Sequence, residues 1–125
     1  MYLVNIGKNY ELGEILRQIR NDKSFIVGFV NHKQITKKEQ KKYIDKYGEF
    51  YYICYEEEIP VGFIGVVNND LRLATIPTMQ RQGIGRFMVT EIKNLDLKFS
   101  VKIRKGNRRS QKFFSNLNIT YNLVD

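Results

Sequence analysis

Gln80-Arg81-Gln82-Gly83-Ile84-Gly85-Arg86 lies between an apolar run that ends near residue 76 and a stretch with helical periodicity. Two glycines at such a strand-to-helix turn let backbone N–H groups approach a ligand closely. The helix start adds the positive end of its dipole. Together these form a cradle for an anion, best suited to a pyrophosphate, with Arg81 and Arg86 placed to add charge-assisted hydrogen bonds. The stretch has no Gly-Lys-Ser/Thr of a Walker loop and lacks the third glycine of the dinucleotide fingerprint. Two glycines alone would more often mark a helix start without a ligand.

Working outward, residues 71–76 read as the strand that enters the turn. Ile84, Phe87, Met88, Ile92 and Leu95 have the spacing of a helix over 83–94. Upstream, 50–56 and 60–67 read as two more strands, with Glu57-Glu58 and Asn68-Asn69-Asp70 as the turns of an antiparallel meander. Downstream, Phe99, Val101 and Ile103 alternate with Lys98, Ser100, Lys102 and Arg104, as a half-buried strand requires. A helix over 107–117 and a last strand over 119–124 follow. At the front, 2–6 suggests an edge strand. Asn9 is placed to cap a helix over 10–20, and Thr36-Lys-Lys-Glu39 is a capping box opening a helix that runs to about 47. Residues 24–30 are apolar and fit no clear period. The order β-α-α-β-β-β-α-β-α-β is that of an α/β domain with a mixed sheet.

The chain has 125 residues, 42% of them hydrophobic and 27% charged, which fits one globular domain over 1–125. Its apolar runs are too short to span a bilayer. No apolar signal region follows Met1, so the expected location is the cytoplasm. One cysteine, Cys54, excludes an internal disulfide framework and a cysteine-cluster zinc site, and no metal is expected. Cys54 reads as a small packing residue, and His32 as a surface residue without metal-ligand spacing. The net charge of +8 is uneven: residues 72–112 carry eleven basic and two acidic side chains, so this segment holds the whole excess. Such a charge implies an anionic partner without naming it.

Gln80-x-x-Gly83-x-Gly85 resembles the acetyl-CoA-binding motif of the GCN5-related N-acetyltransferases (GNAT). Glu58-Ile-Pro-Val-Gly-Phe-Ile-Gly65 is similar to that family's third strand. Leu73-Ala-Thr-Ile-Pro77 is similar to its fourth strand, and Asn107-Arg-Arg-Ser110-Gln-Lys-Phe113-Phe114 to a segment of its later helix. The resemblance runs from about residue 50 to 119. It implies a mostly antiparallel central sheet flanked by helices, with the fourth strand splayed from the fifth, over 97–103. It also implies acetyl-CoA as cosubstrate and an amine acceptor. The pantetheine arm would pair near Ala74, Thr75 and Ile76, and a backbone N–H of Thr75 or Ile76 would hold the developing oxyanion. Gln80, Arg81, Gln82, Gly83, Ile84, Gly85 and Arg86 would wrap the pyrophosphate. Asn107 would contact the cofactor arm, with Phe113 and Phe114 in the same segment. Arg104, Lys105, Arg108 or Arg109 would meet the 3′-phosphate on the basis of charge.

The chain departs from that pattern in three places. Its fourth strand has no carboxylate to act as base, leaving Asp70, Glu49 and Glu56 as candidates. Arg72 would favour an acidic acceptor if it faces the cleft. The position that resembles the family's acid, a tyrosine, is Phe114, which donates no proton and reads as core packing. Water, Tyr52 or Tyr121 stand as substitutes. The family's seventh strand is also missing, so the C-terminal end is expected to be short and its sheet edge covered by a second copy or open. Three functions follow. The first is N-acyl transfer from acetyl-CoA to a primary amine. The second is coenzyme A binding without catalysis. The third, a basic nucleic-acid-binding module, ranks last, since coenzyme A's own phosphates account for the charge.

Overall fold

A computed structural model describes residues 1–22, 35–76 and 83–125. Four strands, β1 (Tyr2–Asn5), β2 (Tyr51–Glu56), β3 (Ile59–Val67) and β4 (Asp70–Thr75), form an antiparallel sheet in the order β1-β2-β3-β4. Among the described residues, α1 (Tyr10–Asn21) and α2 (Lys37–Tyr47) separate β1 from β2, with a 3-10 turn at Gly48–Phe50. Beyond β4 come α3 (Ile84–Asn94), β5 (Lys102–Arg104), α4 (Arg108–Asn116) and β6 (Asn122–Val124). β5 and β6 pair in parallel.

Local signals start these elements where the sequence places them. The Asn9 side chain accepts from the N–H groups of Glu11 and Leu12, at 3.0 and 3.1 Å. Thr36 Oγ1 accepts from Glu39 N at 3.2 Å while the Glu39 carboxylate accepts from Thr36 N, a reciprocal box. Asn68 and Asn69 take φ of 52° and 65°. Two successive left-handed residues match the right-handed twist of a tight hairpin, and asparagine tolerates them. Lys38, Lys42 and Lys46 form the wet side of α2, and Gln40 and Ile44 its buried side.

The four-stranded sheet separates two apolar layers. α3 and α4 cover one face, where Ile84, Met88, Ile92 and Phe114 meet Ile64, Leu71, Val101 and Ile103. α1 and α2 cover the other, where Leu16, Ile19 and Ile44 meet Tyr51, Ile53, Phe63 and Ala74. Alternation along a strand sends neighbouring side chains of β4 to opposite layers. Leu71 and Leu73 therefore face α3 and α4, while Arg72 and Ala74 face α1 and α2.

β4 and the segment leading into β5 meet at one bridge. Asp70 and Ser100 form an isolated parallel bridge, made by Leu71 N to Ser100 O at 2.9 Å and Ser100 N to Asn69 O at 2.5 Å. Past it the two strands diverge. The regular strand expected over 97–103 is accordingly shorter: its alternation holds, with Val101 and Ile103 buried, but β5 begins only at Lys102, where β6 supplies a partner. The last strand is also short. β6 lies directly beside β5, and Leu123 on it is about half exposed. No helix among the described residues is long and apolar enough to cross a membrane.

Candidate functional site

Where β4 and β5 separate, a cavity of about 440 Å³ opens between them. Leu71, Arg72 and Leu73 line it from β4, and Val101, Lys102 and Ile103 from the other lip. Hydrogen-bond parity fixes which backbone groups look into it. Ile76 N donates to Val61 O at 2.9 Å, and the β3–β4 register is regular, so the even residues of β4 turn their polar groups to β3. The odd residues turn theirs to β5, as Leu71 N shows. Leu73 and Thr75 therefore face the gap with their backbone. On the opposite lip, Asn122 N donates to Val101 O and Lys105 N to Val124 O, which leaves Lys102 turned toward β4. The gap is a parallel ladder interrupted after one bridge, with polar backbone on both lips.

This parity refines the residues expected on β4. Ile76 N–H is engaged by β3, so it is not directed at an oxyanion in the gap. Ala74 is buried against α1 and α2, and its backbone also faces β3. Thr75 and Leu73 share the parity that turns the backbone toward β5. Register with β3 decides this, and no pattern within residues 71–76 carries that information.

At the start of α3, Gly83 is the N-cap, with φ 78° and ψ 8°. An added Cβ there would meet nothing within 4 Å among the described residues. Gly85 has a different reason for lacking a side chain: a Cβ would lie 3.0 Å from Phe113 Cζ and 3.1 Å from its Cε1. Gly83 thus supplies a left-handed turn at an open helix end, and Gly85 lets α4 close on α3 through Phe113. Ile84 is buried in the core, and Arg86 is exposed. Gln80, Arg81 and Gln82, like His32, lie outside the described residues.

From α4, Asn107 and Phe114 both line the cavity. Asn107 Oδ1 accepts from Ser110 N at 3.2 Å, so its carbonyl caps the helix, and its amide nitrogen has no hydrogen-bond partner among the described residues. Phe114 is 4% exposed and stands edge-on to Phe113, with ring centroids 4.9 Å apart. Packing explains both rings, as the sequence suggested. Lys105 pairs with the exposed Asp125 at 2.9 Å, while Arg108 and Arg109 are exposed on α4.

The opposite side of the cavity is polar and cationic, built by a row across three strands. Tyr51, Gly65 and Arg72 are register partners on β2, β3 and β4. With no side chain on Gly65, the Tyr51 ring lies across it, so that a Cβ at Gly65 would come within 2.5 Å of Tyr51 Cδ1. The Tyr51 hydroxyl thereby reaches Arg72 Nη1 at 3.3 Å. Tyr43, from α2, completes the cluster: its hydroxyl lies 2.7 Å from that of Tyr51 and accepts from Arg72 Nη1 at 2.9 Å. Arg72 Nε donates to Asp70 at 3.3 Å, and the Arg20 guanidinium stacks 5.2 Å above the Tyr43 ring centroid. Burial, reinforced by the adjacent Tyr51, pushes the Tyr43 phenol above its ordinary range and keeps it protonated at neutral pH.

Of the candidate bases, Asp70 lines the cavity, whereas Glu49 and Glu56 are exposed and do not. Tyr52 packs in the α3 and α4 layer, and Tyr121 lines a separate groove beside β5. Cys54 is fully buried, and desolvation pushes its thiol up to about 11, so it is inert at neutral pH. No cluster of three metal-ligating side chains occurs among the described residues.

Residues 14–118 match the family model described as the acetyltransferase (GNAT) family. No curated protein matches the chain. Among solved structures, a possible acetyltransferase from Clostridium difficile 630 is similar with a TM-score of 0.69 at 13% identity, over 99% of this chain and 95% of that one. An N-acetyltransferase from Staphylococcus aureus Mu50 is similar with a TM-score of 0.69 at 16% identity, over 94% of this chain and 81% of that one. At these identities the likeness is one of fold.

Proposed function

Because the chain belongs to the acetyltransferase (GNAT) family, we propose that it transfers an acetyl group from acetyl-CoA to a primary amine, with the cofactor arm in the gap between β4 and β5. The observation that carries this reading is the interrupted ladder. Leu73 and Lys102 offer backbone donors and acceptors across a cavity of about 440 Å³. Pantetheine has two amides on a thin flexible chain, and can pair with a strand edge as an added strand does. Its pyrophosphate then meets the open N-terminus of α3 at Gly83, where N–H groups and the helix dipole favour negative charge. The amide nitrogen of Asn107 faces the arm from α4.

In the reaction the neutral amine nitrogen attacks the thioester carbonyl carbon. A tetrahedral oxyanion forms, the C–S bond breaks, the amide nitrogen loses a proton and the coenzyme A thiolate gains one. A gap-facing backbone N–H of β4, with the parity of Leu73, is the kind of group suited to face the oxyanion. Among the described residues, no carboxylate lines the gap beyond Asp70. Proximity of amine and thioester is the main contribution we assign to it. Phe114 favours a second reading, coenzyme A binding with little catalysis, because a buried phenyl ring supplies no proton to the thiolate.

Thermal melts and thiol release test both. A ligand at a hundred times its Kd stabilises the native state by roughly 2.7 kcal/mol, so acetyl-CoA should raise the melting temperature by several degrees. Free coenzyme A should then appear when an amine panel is supplied. A melt that acetyl-CoA leaves unmoved removes the first and second readings together. A raised melt without thiol release from any amine supports the second.

A further inference from the structure

The cavity has two chemically different sides, and the acetyl-transfer reading occupies only one. Asn107, Phe114 and the open start of α3 belong to the face covered by α3 and α4. Arg72 projects to the other face, among side chains of α1 and α2. Among the described residues, the cations lining the cavity are Arg20, Arg72 and Lys102, against the single carboxylate of Asp70. Asp70 is joined to Arg72 through Nε alone, and the two phenols take Nη1. That leaves Arg72 Nη2 with no hydrogen-bond partner among the described residues. Arg20 has none either: its contact is with the Tyr43 ring. A guanidinium forms forked bonds to carboxylate, and each half-desolvated cation here has donors to spare.

The geometry points to an acceptor that carries a carboxylate beside its amine, an amino-acid-like molecule held by Arg72 and Arg20. This rests on the proposed acetyl transfer for the amine, but the anion site itself does not. The fold positions Arg72 deliberately. Gly65 clears the path by which the Tyr51 hydroxyl reaches the guanidinium, Tyr43 fixes it from α2, and Tyr43 in turn seats Arg20. The site then orients the carboxylate on the α1 and α2 side, which leaves the amine directed through the gap toward the thioester. Such a clamp also has a chemical reason to exist. A neighbouring carboxylate raises an amine's pKa and leaves less of the neutral nucleophile, so an enzyme selecting acidic acceptors does so against intrinsic reactivity.

Matched pairs test this in two assays with the full chain. Binding is read by calorimetry with unreactive product analogues, N-acetylglycine and N-acetyl-L-glutamate against their carboxamides. Turnover is read by thiol release from acetyl-CoA with glycine against glycinamide and L-glutamate against its diamide. Carboxylates should win by about 10- to 100-fold in binding, and in turnover per neutral amine, the usual worth of a charge-assisted pair. Arg20→Gln, which breaks no hydrogen bond among the described residues, should remove much of that preference, and Arg72→Gln the rest. Equal binding of carboxylates and carboxamides, or a preference untouched in Arg20→Gln and a folded Arg72→Gln, overturns the clamp. Carboxamides that turn over as fast as carboxylates, once each rate is divided by its fraction of neutral amine at the assay pH, also overturn it, while acetyl transfer stands. Carboxylate-selective binding that both variants lose, without thiol release from any amine, supports the clamp and refutes acetyl transfer.

Discussion

Gly83→Asp separates the two jobs a glycine does at the head of α3. The residue holds φ 78°, ψ 8°, where a side chain costs roughly 1 kcal/mol, and asparagine and aspartate are tolerated better than most. A Cβ there meets nothing within 4 Å among the described residues, so they add no packing penalty to it. Melting should fall by only a few degrees. Binding should suffer far more. The new carboxylate projects into open space at the end of a helix proposed to receive a pyrophosphate. At about 5 Å and an effective dielectric between bulk water and a protein surface, one such repulsion is worth roughly 1–3 kcal/mol. That raises the Kd for acetyl-CoA about 5- to 150-fold. Gly83→Asn is the control, since it has the same shape and the same tolerance of the left-handed region but no charge. Calorimetry of both variants at low and at 0.5 M salt isolates the charge, because screening shrinks only that part. Equal affinities for the Asp and Asn variants at low salt would show that no phosphate sits at this helix start, and the cradle would be lost.

Three other outcomes follow from particular contacts. Gly65→Ala drives a Cβ to within 2.5 Å of the Tyr51 ring. It should cost about 1–3 kcal/mol, as overpacking does, visible as an early urea midpoint, and should weaken the carboxylate preference as the ring leaves Arg72. Gly85→Asp should destabilise the fold more than Gly83→Asp, because its Cβ presses on Phe113 and its charge enters a packed seam; equal urea midpoints would contradict that. Cys54 holds its proton up to about 11 when folded, against an ordinary value near 9. Between those values the unfolded chain has lost a proton that the folded one keeps, so stability falls as pH rises, by about 2–3 kcal/mol in all. Urea melts of wild type and Cys54→Ala from pH 8 to 11 should diverge in slope, and parallel curves would show that the thiol is not desolvated.

The parts of this structure visible in the sequence are those set by short-range chemistry. Asn9 and Thr36 start helices because their side-chain oxygens satisfy N–H groups two or three residues on. Asn68-Asn69 turns a hairpin because both residues accept the left-handed region. What depends on register was not visible. Nothing in Leu73-Ala-Thr-Ile says that Ile76 N–H goes to Val61 while Leu73 turns to the gap; that parity comes from pairing with β3. The row from Tyr51 through Gly65 to Arg72 is likewise assembled from three strands. Gly65 reads in isolation as part of a strand motif, and its purpose is clear only beside the ring that crosses it. Residues 97–99 have the right alternation for a strand, yet alternation records burial, and a ladder also needs a partner within reach.

The basic excess of residues 72–112 can now be divided by the sheet. Arg86, Arg108 and Arg109 are exposed on the helices that flank the proposed cofactor side. Arg72 belongs to the opposite layer, where it meets Arg20, a residue from outside that segment altogether. A single anionic partner lying along the basic segment would leave Arg72 and Arg20 unexplained, since the sheet stands between them and α3. Two anions approaching from opposite faces account for both sets, and they meet only where β4 parts from β5. The single Asp70–Ser100 bridge makes that meeting possible. Each further ladder bond past it would close the gap and separate a cofactor on one face from an acceptor on the other.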